Sequence, residues 1–275
     1  MSAESRRRWI ATAILLIPAL IQLFPLFYLL GLSFKIGGEV MEYPPRLLPR
    51  TLTWTNYRLA LQAAPLWRFL LNSVIVATAI TVLQTLTAIL AAYALARLDF
   101  PGKKLVFGLI VATMLVPVEI TIIPNYFALA RLGWIDAYAG LVLPFSASGF
   151  GIFLLYQFFR TIPKELEEAA ALDGASRLRF LFQIAVPLSM PAVTAFAVYA
   201  FISAWNMYLW PLIVTQSTGM LTAQIGIAMF RAQNESLSWG VIMAATALLI
   251  SPTVLLFLAA QRQFVRGLTM SGLKG

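Results

Sequence analysis

Of 275 residues, 60% are hydrophobic and only 11% charged, and the mean hydropathy is +0.83. A soluble domain carries about 25% charged residues, so this chain cannot clothe a water-facing surface and lipid must be its main solvent. The net charge is +9 without any histidine or cysteine. That composition rules out disulfides and thiolate metal sites and removes the commonest general base, which argues against hydrolytic and metal chemistry. The basic residues are scattered among apolar runs, a pattern that suits anionic headgroups and the loop rule for membrane orientation better than nucleic acid.

The composition predicts an all-α, polytopic membrane protein, a single transmembrane domain over residues 1–275. Six spans are expected, at about 9–34, 69–96, 105–130, 137–159, 192–215 and 236–261. A 26-residue helix reaches about 39 Å at 1.5 Å per residue, enough to cross a core of about 30 Å with some tilt. The first span follows Arg6, Arg7 and Arg8 as a signal peptide would. Its apolar run is longer than a signal core and more spans follow, so it reads as a retained anchor. The third span contains one acid, Glu119, between Pro117 and Pro124, where the helix is expected to kink or break. An acid within a span is a functional candidate by default. Glu119 lies 15 residues into the span, about 22 Å along it at 1.5 Å per residue, and that depth favours a hydrated position near the outer interface over a solute path. With the N-terminus inside, the inner segments hold 13 of the 20 basic residues, which places both termini in the cytoplasm.

The segment after the fourth span, residues 161–187, is too structured for a connector, since helix connections usually run 2–8 residues. Pro163 suits a first helical turn, and Glu165, Glu167 and Glu168 sit where the helix dipole favours acids. Gly174 suits a left-handed stop. A second helix follows, with Leu178, Leu181, Phe182 and Ala185 expected on one face, and Pro187 and Pro191 expected to end it.

Glu168-Ala169-Ala170, then three residues, Gly174, nine residues, Ile184, one residue, Val186 and Pro187 resembles the EAA loop of ATP-binding-cassette importer permeases. Only Val186 departs from that pattern, where leucine is usual. Phe69-Leu-Leu-Asn-Ser-Val74, Gly151-Ile-Phe-Leu-Leu155, Ser203-Ala-Trp-Asn206 and Phe264-Val-Arg-Gly-Leu268 extend the resemblance to the maltose and glycerol-3-phosphate branch of carbohydrate permeases, over essentially the whole chain. The resemblance implies a bacterial or archaeal cytoplasmic-membrane permease with a cytoplasmic helix-turn-helix loop that docks into an ATPase. Glu168 would then pair with a basic group of the ATPase. Ala169 and Ala170 would keep the helix thin, Gly174 would allow the turn, and Ile184 and Pro187 would complete the motif. The tail Phe264, Val265, Arg266, Gly267, Leu268 would reach between two ATPases. The implied partners are a second homologous permease, an ATPase dimer carrying ATP and Mg, and an extracytoplasmic solute-binding protein. The chain itself would bind no cofactor, and it has no Walker-type loop. Its nearest approach, Pro101-Gly102-Lys103-Lys104, lacks the spacing.

Trp205, Asn206 and Tyr208 on the fifth span admit two readings, as lining of a sugar path together with Glu119 or as an interfacial aromatic belt. Asn72 and Gln84 on the second span read equally as interhelical hydrogen bonds. An ion-coupled secondary carrier is the alternative function, but it calls for paired intramembrane acids and bases, and Glu119 stands alone within the spans. A membrane enzyme would need an interfacial cluster of His, Asp, Ser or Cys; this chain has no His or Cys, and its main acid cluster lies in the loop 161–187.

Overall fold

The computed structural model describes residues 3–233 and 239–272, with side chains described for Thr12, residues 14–231 and 239–255, and Leu258. Helices account for every regular element among the described residues. In chain order they are α1 (Ala3–Ser33), α2 (Thr55–Ala63), α3 (Leu66–Arg97), α4 (Lys103–Thr113), α5 (Val118–Arg131), α6 (Tyr138–Val142), α7 (Gly149–Thr161), α8 (Lys164–Leu172), α9 (Arg177–Phe180), α10 (Val186–Leu188), α11 (Met190–Trp205), α12 (Leu209–Val214), α13 (Ala223–Gln233) and α14 (Trp239–Gly272).

Ile14–Ser33 of α1 and the whole of α3 are long and apolar enough to cross a bilayer unaided. Three further stretches meet that requirement only as bent pairs. They are α4 with α5 (99°), Tyr138–Phe145 with α7 (45°) and Arg177–Leu188 with α11 (82°). Up to five spans result. The sixth expected span, 236–261, falls on α14, where the apolar stretch is Trp239–Leu255; residues 236–238 lie outside the described ones. Leu15, Ile17, Leu20, Ile21 and Phe27 of α1 are all exposed, as lipid-facing side chains must be.

Two expectations need correction. The fifth span is not one helix over 192–215: α11 stops at Trp205, Asn206–Tyr208 break it, and α12 restarts at Leu209. Pro211 accounts for the restart, because proline is accommodated in a first turn but would remove a hydrogen bond from a continuing helix. The loop's second helix does not bury Leu178, Leu181, Phe182 and Ala185 together. Leu181 and Ala185 are buried with Phe180, whereas Leu178 and Phe182 are exposed. Residues Leu181–Ala185 form a π turn, and its wider repeat rotates the buried face away from 3–4 spacing. The chain then bends at Ser189, past Pro187.

The chain divides into two compact units. One comprises Met1–Trp67 and Gly226–Pro252, the other Arg68–Ile225 and Thr253–Gly275. In the first, carbonyls at and just past the end of α1 are taken up by a buried amide. Asn56 Nδ2 donates to Ser33 O (2.9 Å) and Lys35 O (2.6 Å), and Ser33 Oγ lies 2.8 Å from Tyr57 Oη. Phe34, Trp54 and Tyr57 pack as an aromatic trio over this turn.

The second unit is cored by small residues that let helices approach closely. Ala88 and Ala92 of α3 and Ala192 and Ala200 of α11 are buried beside Leu155, Phe159 and Phe196. The Phe196 ring lies against Gly151 of α7 where any β-carbon would overlap it. Polar side chains of α3 serve the irregular backbone around it. Asn72 Nδ2 donates to Gly219 O (2.8 Å) and Leu221 O (2.9 Å), while its Oδ1 accepts from Tyr138 Oη (2.6 Å). Gln84 Nε2 donates to Phe145 O (2.9 Å) and Thr87 Oγ1 to Ser146 O (3.0 Å). Asn72 therefore bonds α6 and the segment after α12, and Gln84 the turn between α6 and α7.

Gly151→Val puts a branched side chain into the space of the Phe196 ring. Overpacking of a tight core costs about 1–3 kcal/mol, and the thermal midpoint of the detergent-solubilised protein is expected to fall accordingly. An unchanged midpoint would mean that α7 and α11 are not in this close contact.

Candidate functional site

Two features of the second unit stand out, a helix-turn-helix segment and a mainly apolar cavity with a few polar side chains in its wall. The first is built from local signals. Pro163 precedes α8 in an extended conformation, and Glu165 and Glu167 occupy its first turn. Gly174 has φ of +77°, the left-handed region that glycine enters without strain. Gly174 N donates to Ala171 O (3.0 Å) and Ala175 N to Ala170 O (2.9 Å), the paired bonds of a Schellman stop. Ser176 Oγ then accepts from Arg179 N (3.3 Å) and caps α9. Glu168 and Ala169 are exposed, Ala170 is buried, Gly174 and Pro187 are exposed, and Ile184 packs half-buried on the core. Glu168, Ala169 and Gly174 thus face outward, while Ala170 and Ile184 hold the segment down.

Arg97, and its pairing with Glu167, are what sequence reasoning missed here. Arg97, at the last turn of α3, is nearly buried and donates Nη2 to Phe159 O (2.8 Å) and to Ile162 O. Its Nη1 lies 3.7 Å from Glu167 Oε2, and Tyr93 Oη lies 3.5 Å from Glu167 Oε1. One guanidinium therefore closes the end of α7 and pins the first turn of α8. The only sequence signal was a basic residue ending a span, which a headgroup contact explains equally well.

The cavity has a volume of about 440 Å³. It opens where helices are interrupted. Glu119 lines it from the first turn of α5, Ser148 from the N-cap of α7, Tyr208 from the break after α11, Gln84 from α3, and Tyr199 and Ser203 from α11. Broken helices are tolerated at membrane depth where they line a cavity. Of the four residues considered for a path, Glu119 and Tyr208 meet here. Trp205 does not: it is buried and stacked on Phe201, with ring centroids 5.8 Å apart. Asn206 points elsewhere and accepts from Gln224 Nε2 (3.1 Å). Tyr199, Ser148 and Ser203 were not foreseen, because isolated hydroxyls on an apolar run carry no distinguishing pattern. The tail Phe264–Leu268 continues α14, but its side chains lie outside the described residues.

A family model described as the binding-protein-dependent transport system inner membrane component matches residues 84–270. The chain belongs to that family. The sn-glycerol-3-phosphate transport system permease protein UgpE of Pectobacterium atrosepticum is 40% identical over 264 residues, covering 94% of each chain. The UgpE of Salmonella typhimurium is 41% identical over 256 residues, covering 90% of this chain and 91% of its own. Among solved structures, a chain of a bacterial ABC transporter involved in the import of the acidic polysaccharide alginate superposes with a TM-score of 0.83 at 26% identity, over 96% of this chain and 99% of that one. A second alginate transporter chain, at 15% identity and a TM-score of 0.65, shares the fold. This protein is therefore an inner-membrane permease subunit of an ABC importer.

Asp136, just before α6, ties two stretches of this permease together. It sits at φ 57° and its Oδ1 accepts from Gln216 N (2.8 Å) and Ser217 N (3.0 Å). Partial burial pushes its carboxyl upward, but the two amide donors outweigh that and hold it below the ordinary carboxylate value. A depressed value means the attachment stabilises the fold above the unfolded value of about 3.9 and is lost as pH falls through the folded one. The midpoint of Asp136→Asn should lie below wild type at pH 7, and the gap should narrow as pH falls below the unfolded value of about 3.9. Parallel midpoints from pH 7 to 3 would show that the charge contributes nothing.

Proposed function

We propose that this permease carries a sugar or sugar-like solute, of the oligosaccharide or glycerol-3-phosphate class, into the cytoplasm by alternating access. The names of its relatives support that solute class. In this reading an extracytoplasmic solute-binding protein delivers the solute, and a second homologous permease completes the path. A separate ATPase dimer, holding ATP and Mg, supplies the drive. In the same reading six spans leave both termini on one side, the bias of basic residues makes that side the cytoplasm, and the segment α8–α10 lies there as the coupling element.

The observation that carries the coupling role is the exposed Glu168–Ala169 surface on a helix fixed by Arg97 and stopped by Gly174. A docked helix transmits work only if it is rigidly joined to what must move. Arg97 provides that joint, since it binds both α8, through Glu167, and the end of α7. Glu168 is free to meet a basic group of the ATPase, and Ala169 presents little bulk to a cleft. Moving a two-state equilibrium from 1:99 to 99:1 takes about 5.5 kcal/mol of differential stabilisation. The ATPase must therefore hold the loop differently in the two states, because equal affinity for both would shift nothing.

Gly174→Val tests this directly. A β-branched residue at φ +77° is strained by about 1–3 kcal/mol and should re-aim α9 relative to α8. The variant is expected to insert normally and assemble with its ATPase, while solute uptake per ATP hydrolysed falls at least tenfold in proteoliposomes. Uptake at the wild-type ratio would remove the segment from the coupling path. Arg97→Met leaves Glu167 without its guanidinium and should produce a weaker uncoupling in the same assay, with faster amide exchange along α8. Wild-type exchange there would show that Arg97 is not the joint.

A further inference from the structure

The cavity carries a selectivity that can be read from its charges. Glu119 is the only charged side chain among the residues that line it. The rest of its polar lining is neutral, comprising Gln84, Ser148, Ser203 and the phenols of Tyr199 and Tyr208. A phosphate or uronate seated there would face a carboxylate with no lysine or arginine from this chain to offset it, and like charges brought together repel. A neutral polyhydroxylated solute meets the opposite situation. Its hydroxyls donate to the Glu119 carboxylate, which accepts at two oxygens, and charge-assisted bonds of this kind are the stronger ones. Its apolar ring faces find Tyr199 and Tyr208, both about half exposed. The volume of about 440 Å³ falls within the range of small-molecule sites.

We infer that this cavity is a solute subsite selective for neutral sugars or polyols, with Glu119 as the specificity-determining residue that accepts their hydroxyls and turns anionic analogues away. The inference rests on the importer reading and narrows its solute class.

The chain has no cysteine, so Ser203→Cys places its only thiol on the cavity wall. The assembled importer carrying this change, in nanodiscs, would be treated with a maleimide, and labelling of this chain measured by mass spectrometry. Matched solutes would be added as protectants: maltotriose against trigalacturonate, and glycerol against sn-glycerol-3-phosphate. The neutral member of at least one pair is expected to protect at a tenfold or greater lower concentration than its anion. Adding Glu119→Gln should narrow that ratio to within about threefold, and Glu119→Lys should reverse it. Protection by the anions at equal or lower concentration, or by none of the four, overturns the inference. ATP-driven uptake of a solute into proteoliposomes is measured in parallel. Uptake that persists while the cavity discriminates nothing sinks the subsite alone, whereas loss of ATP-driven uptake in the unmodified importer sinks the importer reading as well.

Discussion

Backbone polar groups inside a bilayer have no water to bond, so every interruption of a helix must be served by the protein itself. This chain interrupts its helices repeatedly, after α4, between α6 and α7, and after α11. Much of what lies between α3 and its neighbours answers that need. Gln84 and Thr87 take up the carbonyls of Phe145 and Ser146, Asn72 those of Gly219 and Leu221, and Arg97 those that end α7. Trp210 does the same for Gly140 from outside α3. One unbroken 32-residue helix with polar groups at chosen depths thus lets the segments around it be broken.

The breaks have a use. A continuous apolar helix presents only side chains to its surroundings, whereas a broken one turns side chains near the break into whatever space the bend opens. Glu119, Ser148 and Tyr208 each line the cavity from such a position. The same helix that stabilises these breaks ends at Arg97, which holds the first turn of α8. Gln84 and Arg97 are 13 residues apart, about 20 Å at 1.5 Å per residue. In the importer reading, α3 is then a rigid link between the surface that meets the ATPase and the cavity that meets the solute. A link of this kind needs two discrete states at each end, and the bent pairs provide elements whose angle could differ between them.

What was legible in the sequence followed from period, composition and punctuation. The apolar runs marked α1 and α3 closely, since a run of that length has few alternatives to a span. The turn at Gly174 could be read because a left-handed stop, an acidic first turn and flanking prolines all pointed to one place. The break at Asn206–Tyr208 was missed because a lone asparagine in an apolar run also fits an unbroken helix, and Pro211, six residues beyond the helix end, fits both a kink and a restart. The buried face of α9 and the turn after it was misread because 3.6-residue periodicity was assumed where the chain makes a π turn. Glu119 could be singled out by charge alone, but its companions could not, since a cavity gathers residues from α3, α5, α7 and α11 that no local window contains.

Glu167 shows why the neighbouring acids of the loop should not be treated as equivalent. Glu165, Glu167 and Glu168 all lie near the start of α8, where the helix dipole favours each of them. Their side chains point in different directions, because successive helical residues are about 100° apart. Glu167 is therefore aimed at Arg97 and Tyr93, while Glu168 is left facing outward. The inward acid fixes the helix to the protein and the outward acid remains available to a partner. A helix that must be rigid on one side and recognised on the other needs both, and two adjacent glutamates achieve it within a single turn.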